Sequence, residues 1–270
     1  MQFKEFKIAC KNKTKCKGDL LFIHGYCVSH EYFSNMAERL SEHFNIYMID
    51  LPGHGVNNEG YDKKQLKIKF FIQHVIDYVE YAKLNNFILI GHSMGGAIVS
   101  GVGATIGDKI KKLVIVSPYG LATRKLISHV GLFKALRVFF PHNWEQKMEL
   151  ADTLYKDYHA HENDETWKRQ EQRELNWQLA NWDNMKALGR HLQNFFTMYY
   201  VQKIQKSINC DTMLLLGKYD KTIDCQMSLK LFNKYFANKK LQTFVFENSG
   251  HLCFEEEPNL FEQKVLTFLS

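Results

Sequence analysis

The fold of this 270-residue chain is decided by one short segment, GHSMGG at residues 91–96, in which a glycine lies two residues before and two after Ser93. The apolar run FILIG at residues 87–91 predicts a buried strand before it, and the Gly- and Ala-rich residues 94–105 predict a helix after it. A serine between a strand and a helix at this spacing indicates a sharp, strained turn, since the glycines allow the backbones to approach closely. We therefore expect the Ser93 hydroxyl to project from the end of a sheet, near the positive N-terminus of a helix. An ordinary turn serine is the alternative interpretation.

A serine hydroxyl that acts as a nucleophile needs a base, and the base needs an acid to orient it. His251 directly follows a predicted C-terminal strand and is the candidate base. Asp220 follows the preceding strand, whereas Asp224 lies four residues later and could instead cap the next helix. We therefore predict that Ser93, Asp220 and His251 are catalytic, with Asp224 as the competing acid.

Two backbone N–H groups are needed to stabilise the negative charge that develops on the substrate oxygen. Met94, the residue after the serine, is expected to supply one of them. Tyr26 is expected to supply the other, because Gly25 lets the loop after the first long strand turn inwards over the serine. His24 is expected to position this loop through a hydrogen bond.

The rest of the chain alternates apolar strands with helical periods, a pattern that predicts a mostly parallel sheet covered by helices on both faces. Strands are predicted at 19–24, 45–50, 87–91, 112–117, 212–216 and 241–246, and helices at 31–43, 63–84, 94–105, 226–237 and 258–269. Residues 3–10 and 13–18 are expected to form a short hairpin at the first edge of the sheet.

Residues 118–209 carry a helical period and little strand signal, so we predict a helical cap inserted into a core of residues 1–117 and 210–270. All four tryptophans lie in this segment: Trp144, Trp167, Trp177 and Trp182. Its aromatic residues together suggest an apolar acyl-binding pocket between cap and sheet, although any single ring could simply pack the cap on the core. The charged residues of Glu162–Glu174 are expected to form a solvated helix face.

Taken together, these segments resemble the α/β-hydrolase superfamily, and most closely its esterase/lipase branch, which includes monoacylglycerol lipases and carrier-protein methyl ester esterases. The matching segments are HGY at 24–26, DLPGHG at 50–55, GHSMGG at 91–96, GKYD at 217–220 and SGH at 249–251. They span essentially the whole chain, and residues 118–209 lie where the family places its cap. The resemblance implies a triad of Ser93, Asp220 and His251, with Tyr26 and Met94 as oxyanion-hole donors.

Three differences separate the chain from other members of that superfamily. Haloalkane dehalogenases and epoxide hydrolases use an aspartate where this chain has Ser93. The HGGPG loop typical of proline iminopeptidases is absent, because the chain reads HGYCV at 24–28. Carbon–carbon bond hydrolases often read GNSMGG, and here His92 replaces that asparagine.

The expected activity is therefore hydrolysis of short- to medium-chain carboxylic esters through an acyl-enzyme. The expected partner is a small-molecule ester with an apolar acyl group, and no metal or organic cofactor is required. Two alternatives stay open at this point. One is a carbon–carbon bond hydrolase or thioesterase that uses the same triad, and the other is a non-catalytic ligand-binding protein of the same fold.

The formal net charge of +6 is concentrated in residues 1–18, where six lysines and one acid give a net charge of +5. A single basic segment is typical of a solvated hairpin and not of a nucleic-acid-binding face, so no nucleic-acid partner is expected.

The longest apolar runs are far shorter than the roughly 20 residues of a transmembrane helix, and no signal peptide is evident. Six cysteines without paired spacing indicate reduced thiols and a cytoplasmic protein.

Overall fold

A computed structural model of the protein describes residues 3–120, 139–236 and 241–269. At its centre lies a seven-stranded sheet with the strand order β1-β3-β2-β4-β5-β6-β7. The strands are β1 (Glu5–Ile8), β2 (Asp19–Ile23), β3 (Asn45–Ile49), β4 (Phe87–His92), β5 (Ile110–Val116), β6 (Thr212–Gly217) and β7 (Leu241–Phe246). Only β1 runs antiparallel to its neighbour, and the other described pairs are parallel. The predicted α/β fold with a mostly parallel sheet is confirmed.

The predicted hairpin at the N-terminus is wrong, because β1 pairs with β3 and not with residues 13–18. Glu5 lies opposite Ile49 in the ladder. The side chains of Phe6 and Ile8 pack against the hydrophobic core, whereas the lysine-rich stretch that follows has no apolar face and is largely exposed. The segment therefore stays in solvent, and β1 instead pairs with the free edge of β3.

Helices cover both faces of the sheet. They are α1 (Ser34–Leu40), α2 (Ile68–Tyr81), α3 (Met94–Ile106), α4 (Trp144–Leu154), α5 (Glu165–Ala180), α6 (Trp182–Leu192), α7 (Phe195–Ile204), α8 (Cys225–Tyr235), α9 (Cys253–Glu256) and α10 (Pro258–Leu269). Among the described residues, no helix combines the length and the apolar character that crossing a bilayer requires.

The strand β2 illustrates why the central strands are continuously apolar. Leu21 and Ile23 join the core cluster that contains α2 and α3, whereas Leu20 and Phe22 join the cluster that contains α1 and α10. Successive side chains of a strand point to opposite faces, so both faces of β2 are buried. A parallel sheet between two helical layers therefore needs apolar residues at every position of such a strand.

The described helices between β5 and β6, in residues 139–209, interrupt the sheet in sequence but not in space. Leu113 of β5 lies opposite Thr212 of β6, so these strands are hydrogen-bonded neighbours. We call α4 to α7 the inserted helices. Residues 121–138 of the predicted insertion lie outside the described residues, and the division of the chain into core and cap domains stays a prediction.

The turn between β4 and α3 has an unusual backbone conformation. Ser93 has φ 55° and ψ −116°, a region that residues with a side chain seldom adopt. A Cβ atom added to Gly91 would lie 2.4 Å from the Gly95 carbonyl oxygen, and one added to Gly95 would lie 2.1 Å from the Ile23 carbonyl oxygen. Both glycines are therefore required by the close approach of α3 to β2 and β4.

Gly95→Ala is expected to lower the free energy of unfolding by about 1–3 kcal/mol, because backbone atoms of β2 must shift to admit the methyl group. Urea denaturation measures the change. Gly103→Ala is the matched control on the same helix, since its nearest new neighbour is the side-chain atom Leu113 Cδ2 at 2.8 Å. Relaxation there and the helix preference of alanine should keep its stability within about 1 kcal/mol of wild type. Equal losses from both variants would contradict this interpretation.

Candidate active site

The loops after β6 and β7 bring the predicted acid and base together. Asp220 Oδ2 lies 2.7 Å from His251 Nδ1, and the two residues are 1% and 4% exposed. A buried carboxylate at this distance fixes the orientation of the imidazole and favours the tautomer that carries a proton on Nδ1. Asp224 does not take this place, because its side chain accepts the Met227 N–H at 2.8 Å and caps α8.

A third side chain, Thr222, joins this pair and was missed by the sequence analysis. Its hydroxyl donates to Asp220 Oδ1 at 2.7 Å and lies 3.1 Å from His251 Nδ1. The backbone N–H groups of Thr222 and Ile223 donate to the same carboxylate oxygen at 2.8 Å. A threonine two residues after a strand-end aspartate is the signal in the sequence, because this spacing is typical of a turn closed by the aspartate side chain.

The backbone of His251 is held from two sides. Its N–H donates to the Leu154 carbonyl oxygen at 2.6 Å, and its own carbonyl oxygen lies 3.1 Å from His92 Nε2. Burial, followed by the nearby His251, lowers the pKa of His92 well below its usual value, so His92 is neutral and donates through Nε2. A Cβ atom on Gly217 would lie 1.7 Å from the Gly250 carbonyl oxygen, so the two loops are in direct contact.

Ser93 lies beside the loop that follows β2. A Cβ atom added to Gly25 would lie 3.4 Å from Ser93 Cβ, which brings the next residue, Tyr26, over the serine. Among the described residues, no group accepts a hydrogen bond from the backbone N–H of Tyr26 or of Met94. Two free donors next to one serine are the arrangement that an oxyanion hole requires.

His24 fixes the position of that loop, as the sequence analysis expected. Its Nε2 accepts the Leu51 N–H at 3.0 Å, so the proton resides on Nδ1, which donates to the Gly25 carbonyl oxygen at 2.8 Å. Burial lowers the pKa of His24, which is consistent with this neutral form. Asp50, which precedes Leu51 in the loop after β3, accepts hydrogen bonds from the N–H groups of His30 and Val56. The loop after β3 therefore has a structural role.

Ser93 and His251 open into one cavity of about 500 Å³. Its apolar wall comes from side chains of the core and of the inserted helices: Val28, Tyr119, Phe139, Leu150, Leu154, Leu192, Phe195, Met198 and Ile223. A cavity of this volume matches those that enclose small ligands in proteins. The predicted pocket between insertion and sheet is therefore present.

The tryptophans that suggested this pocket do not line it in the described structure. Trp177 stacks on His54 and donates from Nε1 to the Gly55 carbonyl oxygen at 3.2 Å. Trp167 is buried and donates from Nε1 to the Tyr155 hydroxyl at 3.0 Å. These rings pack the inserted helices together or against the core.

The expectation that Glu162–Glu174 form a solvated face is wrong for two of its residues. Glu171 and Glu174 line the cavity, and both contact Lys147 of α4, at 2.8 and 3.0 Å from its ammonium nitrogen. The reason is the helical period of α5, which places Glu171 on the same buried face as Leu175. Although burial opposes its charge, the carboxylates of Glu174 and Glu171 raise the pKa of Lys147, so it is charged.

Within residues 3–120, 139–236 and 241–269, no three His, Cys, Asp or Glu side chains converge as metal ligands would. Ser93 and His251 line one cavity, and Asp220 is hydrogen-bonded to His251.

Comparison with known proteins gives relatives over most of the chain. A Mycoplasma genitalium protein named "Putative esterase/lipase 2" is 30% identical over 271 residues, covering 94% of this chain and 90% of its own length. The human monoacylglycerol lipase ABHD6 is 21% identical, covering 98% of this chain and 79% of its own length.

Solved structures share the fold. The crystal structure of a protein described as a lipase, from Acinetobacter baumannii AYE, superposes on this chain with a TM-score of 0.78 at 22% identity. The match covers 99% of this chain and 91% of that one. A serine hydrolase involved in carbazole degradation gives the same TM-score of 0.78 at 17% identity, covering 99% and 94% of the two chains. The sequence model of the alpha/beta hydrolase fold matches residues 20–258. The chain therefore belongs to the α/β-hydrolase family.

Proposed function

We propose that this protein hydrolyses carboxylic esters, with Ser93 as nucleophile, His251 as general base and acid, and Asp220 as the orienting carboxylate. The observation that carries the proposal is the buried hydrogen bond between Asp220 and His251, in a cavity shared with a serine on a strained turn. The names of the relatives, esterase/lipase and monoacylglycerol lipase, support the same reaction class.

In the first half-reaction, His251 Nε2 takes the proton of the Ser93 hydroxyl while the oxygen attacks the ester carbonyl carbon. Asp220 holds the proton on Nδ1 and stabilises the imidazolium that forms. The Ser93 hydroxyl makes no hydrogen bond to another described residue. The hydrogen bond between a nucleophilic serine and its base commonly tightens only when substrate is bound.

The tetrahedral intermediate places a negative oxygen beside the N–H groups of Tyr26 and Met94, each worth about 3 kcal/mol of barrier lowering. His251 then gives its proton to the leaving alcohol, and an acyl-enzyme forms on Ser93. Water repeats the sequence, with His251 again as base, and releases the carboxylic acid.

The substrate proposed is an ester with a short- to medium-chain acyl group. Apolar side chains from the loop after β2 and from the inserted helices, such as Val28, Leu150 and Met198, line the cavity next to Ser93. Burial of an acyl chain against them supplies binding energy in proportion to the apolar area covered. We therefore propose that residues 118–209 act as a cap that selects the acyl chain.

Ser93→Ala is expected to lower turnover of p-nitrophenyl butyrate by at least about 10⁴-fold and to abolish labelling by a fluorophosphonate probe. The control is Ser100→Ala on the same helix, whose hydroxyl donates to the Gly96 carbonyl oxygen. That variant should keep both signals. Labelling of Ser93→Ala, or undiminished turnover, would remove Ser93 from this role.

Thr222→Val is expected to lower kcat by about tenfold, because Asp220 loses a charge-assisted hydrogen bond and the imidazole loses a neighbour that helps to orient it. KM should change little, since Thr222 acts through the Asp220–His251 pair. Thr222→Ser should restore most of kcat, because it keeps the hydroxyl. Thermal unfolding monitors folding of both variants. Equal losses in the valine and serine variants would argue for a packing role instead.

A panel of p-nitrophenyl esters from acetate to palmitate should give its highest kcat/KM at short to medium acyl length, because the cavity has a volume of about 500 Å³. Acyl thioesters and a vinylogous diketone belong in the same panel. Faster turnover of a thioester, or cleavage of the diketone without any ester hydrolysis, would instead identify one of the alternative reactions on this triad. A protein that binds the esters but turns over none would be a non-catalytic member of the fold.

A further inference from the structure

Three charged side chains lie in the wall of the cavity, whose lining is mostly apolar. Lys147 projects from α4, and Glu171 and Glu174 project from α5, with the ammonium nitrogen 2.8 and 3.0 Å from the two carboxylates. Lys147 and Glu171 are only 5% and 6% exposed. All three line the same cavity as Ser93. We call these residues the polar cluster.

Stability alone does not account for the polar cluster. Removing charges from water costs several kcal/mol per ion, and replacing a buried ion cluster by apolar residues is often neutral or stabilising. Apolar side chains at these positions could pack α4 against α5 without that cost. The cluster also continues along α5, because Gln178, one turn beyond Glu174, lines the cavity too. One face of α5 thus presents polar groups to the space that a ligand would fill.

The polar cluster lies beside the proposed oxyanion loop. Burial raises the pKa of the Cys27 thiol to about 12, and the nearby charges of Lys147 and Glu174 act on that thiol with opposite signs. Cys27 directly follows Tyr26 and also lines the cavity. A substrate bound at Ser93 would therefore share its cavity with these charges.

The charge balance of the polar cluster determines what it can bind. One ammonium faces two carboxylates, so the cluster has no excess positive charge to attract an anion. Lys147 takes one oxygen of each carboxylate, and Gln170 lies 3.4 Å from the second oxygen of Glu174. Each carboxylate has about four lone-pair sites, so acceptor capacity remains. A neutral donor such as a hydroxyl group fits this arrangement, whereas a carboxylate does not.

We propose that Lys147, Glu171 and Glu174 form a polar subsite that binds a hydroxyl group of the substrate, so that the preferred ester carries a hydroxyl group remote from the scissile carbonyl. This inference rests on the proposed ester hydrolysis at Ser93. The hydroxyl group could belong to the acyl chain or to the leaving alcohol. In either case it fills the polar subsite while the alkyl part contacts the apolar wall.

The test compares kcat/KM within two series of esters, with acid release followed by titration. The acyl series is methyl hexanoate, methyl 6-hydroxyhexanoate and monomethyl adipate. The alcohol series is propyl hexanoate and 2,3-dihydroxypropyl hexanoate. Wild type should prefer the hydroxylated ester over its plain partner by about tenfold or more in one series, and it should disfavour the adipate monoester. The series in which the preference occurs identifies the part of the substrate that carries the hydroxyl group.

Two variants test whether the polar subsite causes that preference. Glu174→Gln should weaken it, and the combined Lys147→Met, Glu171→Leu and Glu174→Leu variant should bring the ratio to about one without leaving an unpaired buried charge. Glu165→Gln is the control, because Glu165 pairs with Lys168 on the exposed face of α5. Its ratio should equal that of wild type. Thermal unfolding verifies that each variant is folded.

Each negative result has a distinct meaning. If wild type hydrolyses both series without preference, or if the combined variant keeps the wild-type ratio, the polar subsite is disproved while ester hydrolysis stands. Preference for the adipate monoester would also overturn the subsite. If wild type hydrolyses no ester in either series, the proposed function itself fails.

Discussion

The backbone conformation of Ser93 is the constraint on which the rest of the structure depends. A residue with a side chain at φ 55° stores strain, and the strain persists only because α3, β4 and the loop after β2 enclose the turn. The backbones approach so closely here that there is no room for a Cβ atom at Gly91 or Gly95. The same turn brings Ser93 and Met94 to the lining of the cavity. Packing in the core thus sets the geometry of the site.

A second set of contacts fixes the groups that must meet this turn. Thr222 and two backbone N–H groups hold the Asp220 carboxylate, and His92 holds the backbone of His251. His24 links the proposed oxyanion loop to the loop that begins at Asp50, through the Leu51 N–H. Each of these residues is buried, so movement of any one displaces a neighbour. The site is therefore held rigidly before a ligand enters.

Much of this could be predicted from the sequence, because strong local signals specify it. Apolar runs bounded by Gly and Asp identify the central strands, and the spacing of glycines around Ser93 identifies the turn. The pairing of β1 could not be predicted, since short lysine-rich strands carry little register information and β3 offered a free edge. The burial of Glu171 was also not predicted from the sequence. Charged residues are usually exposed, whereas the helical period of α5 places Glu171 on the buried face that carries Trp167 and Leu175.

The hydrogen bond from His251 N–H to the Leu154 carbonyl oxygen joins the loop after β7 to the last turn of α4. The inserted helices thus help to hold the proposed base, in addition to forming a wall of the cavity. Replacing the inserted helices by another segment would therefore also disturb the position of His251, unless the new segment presents a carbonyl oxygen at the position of Leu154.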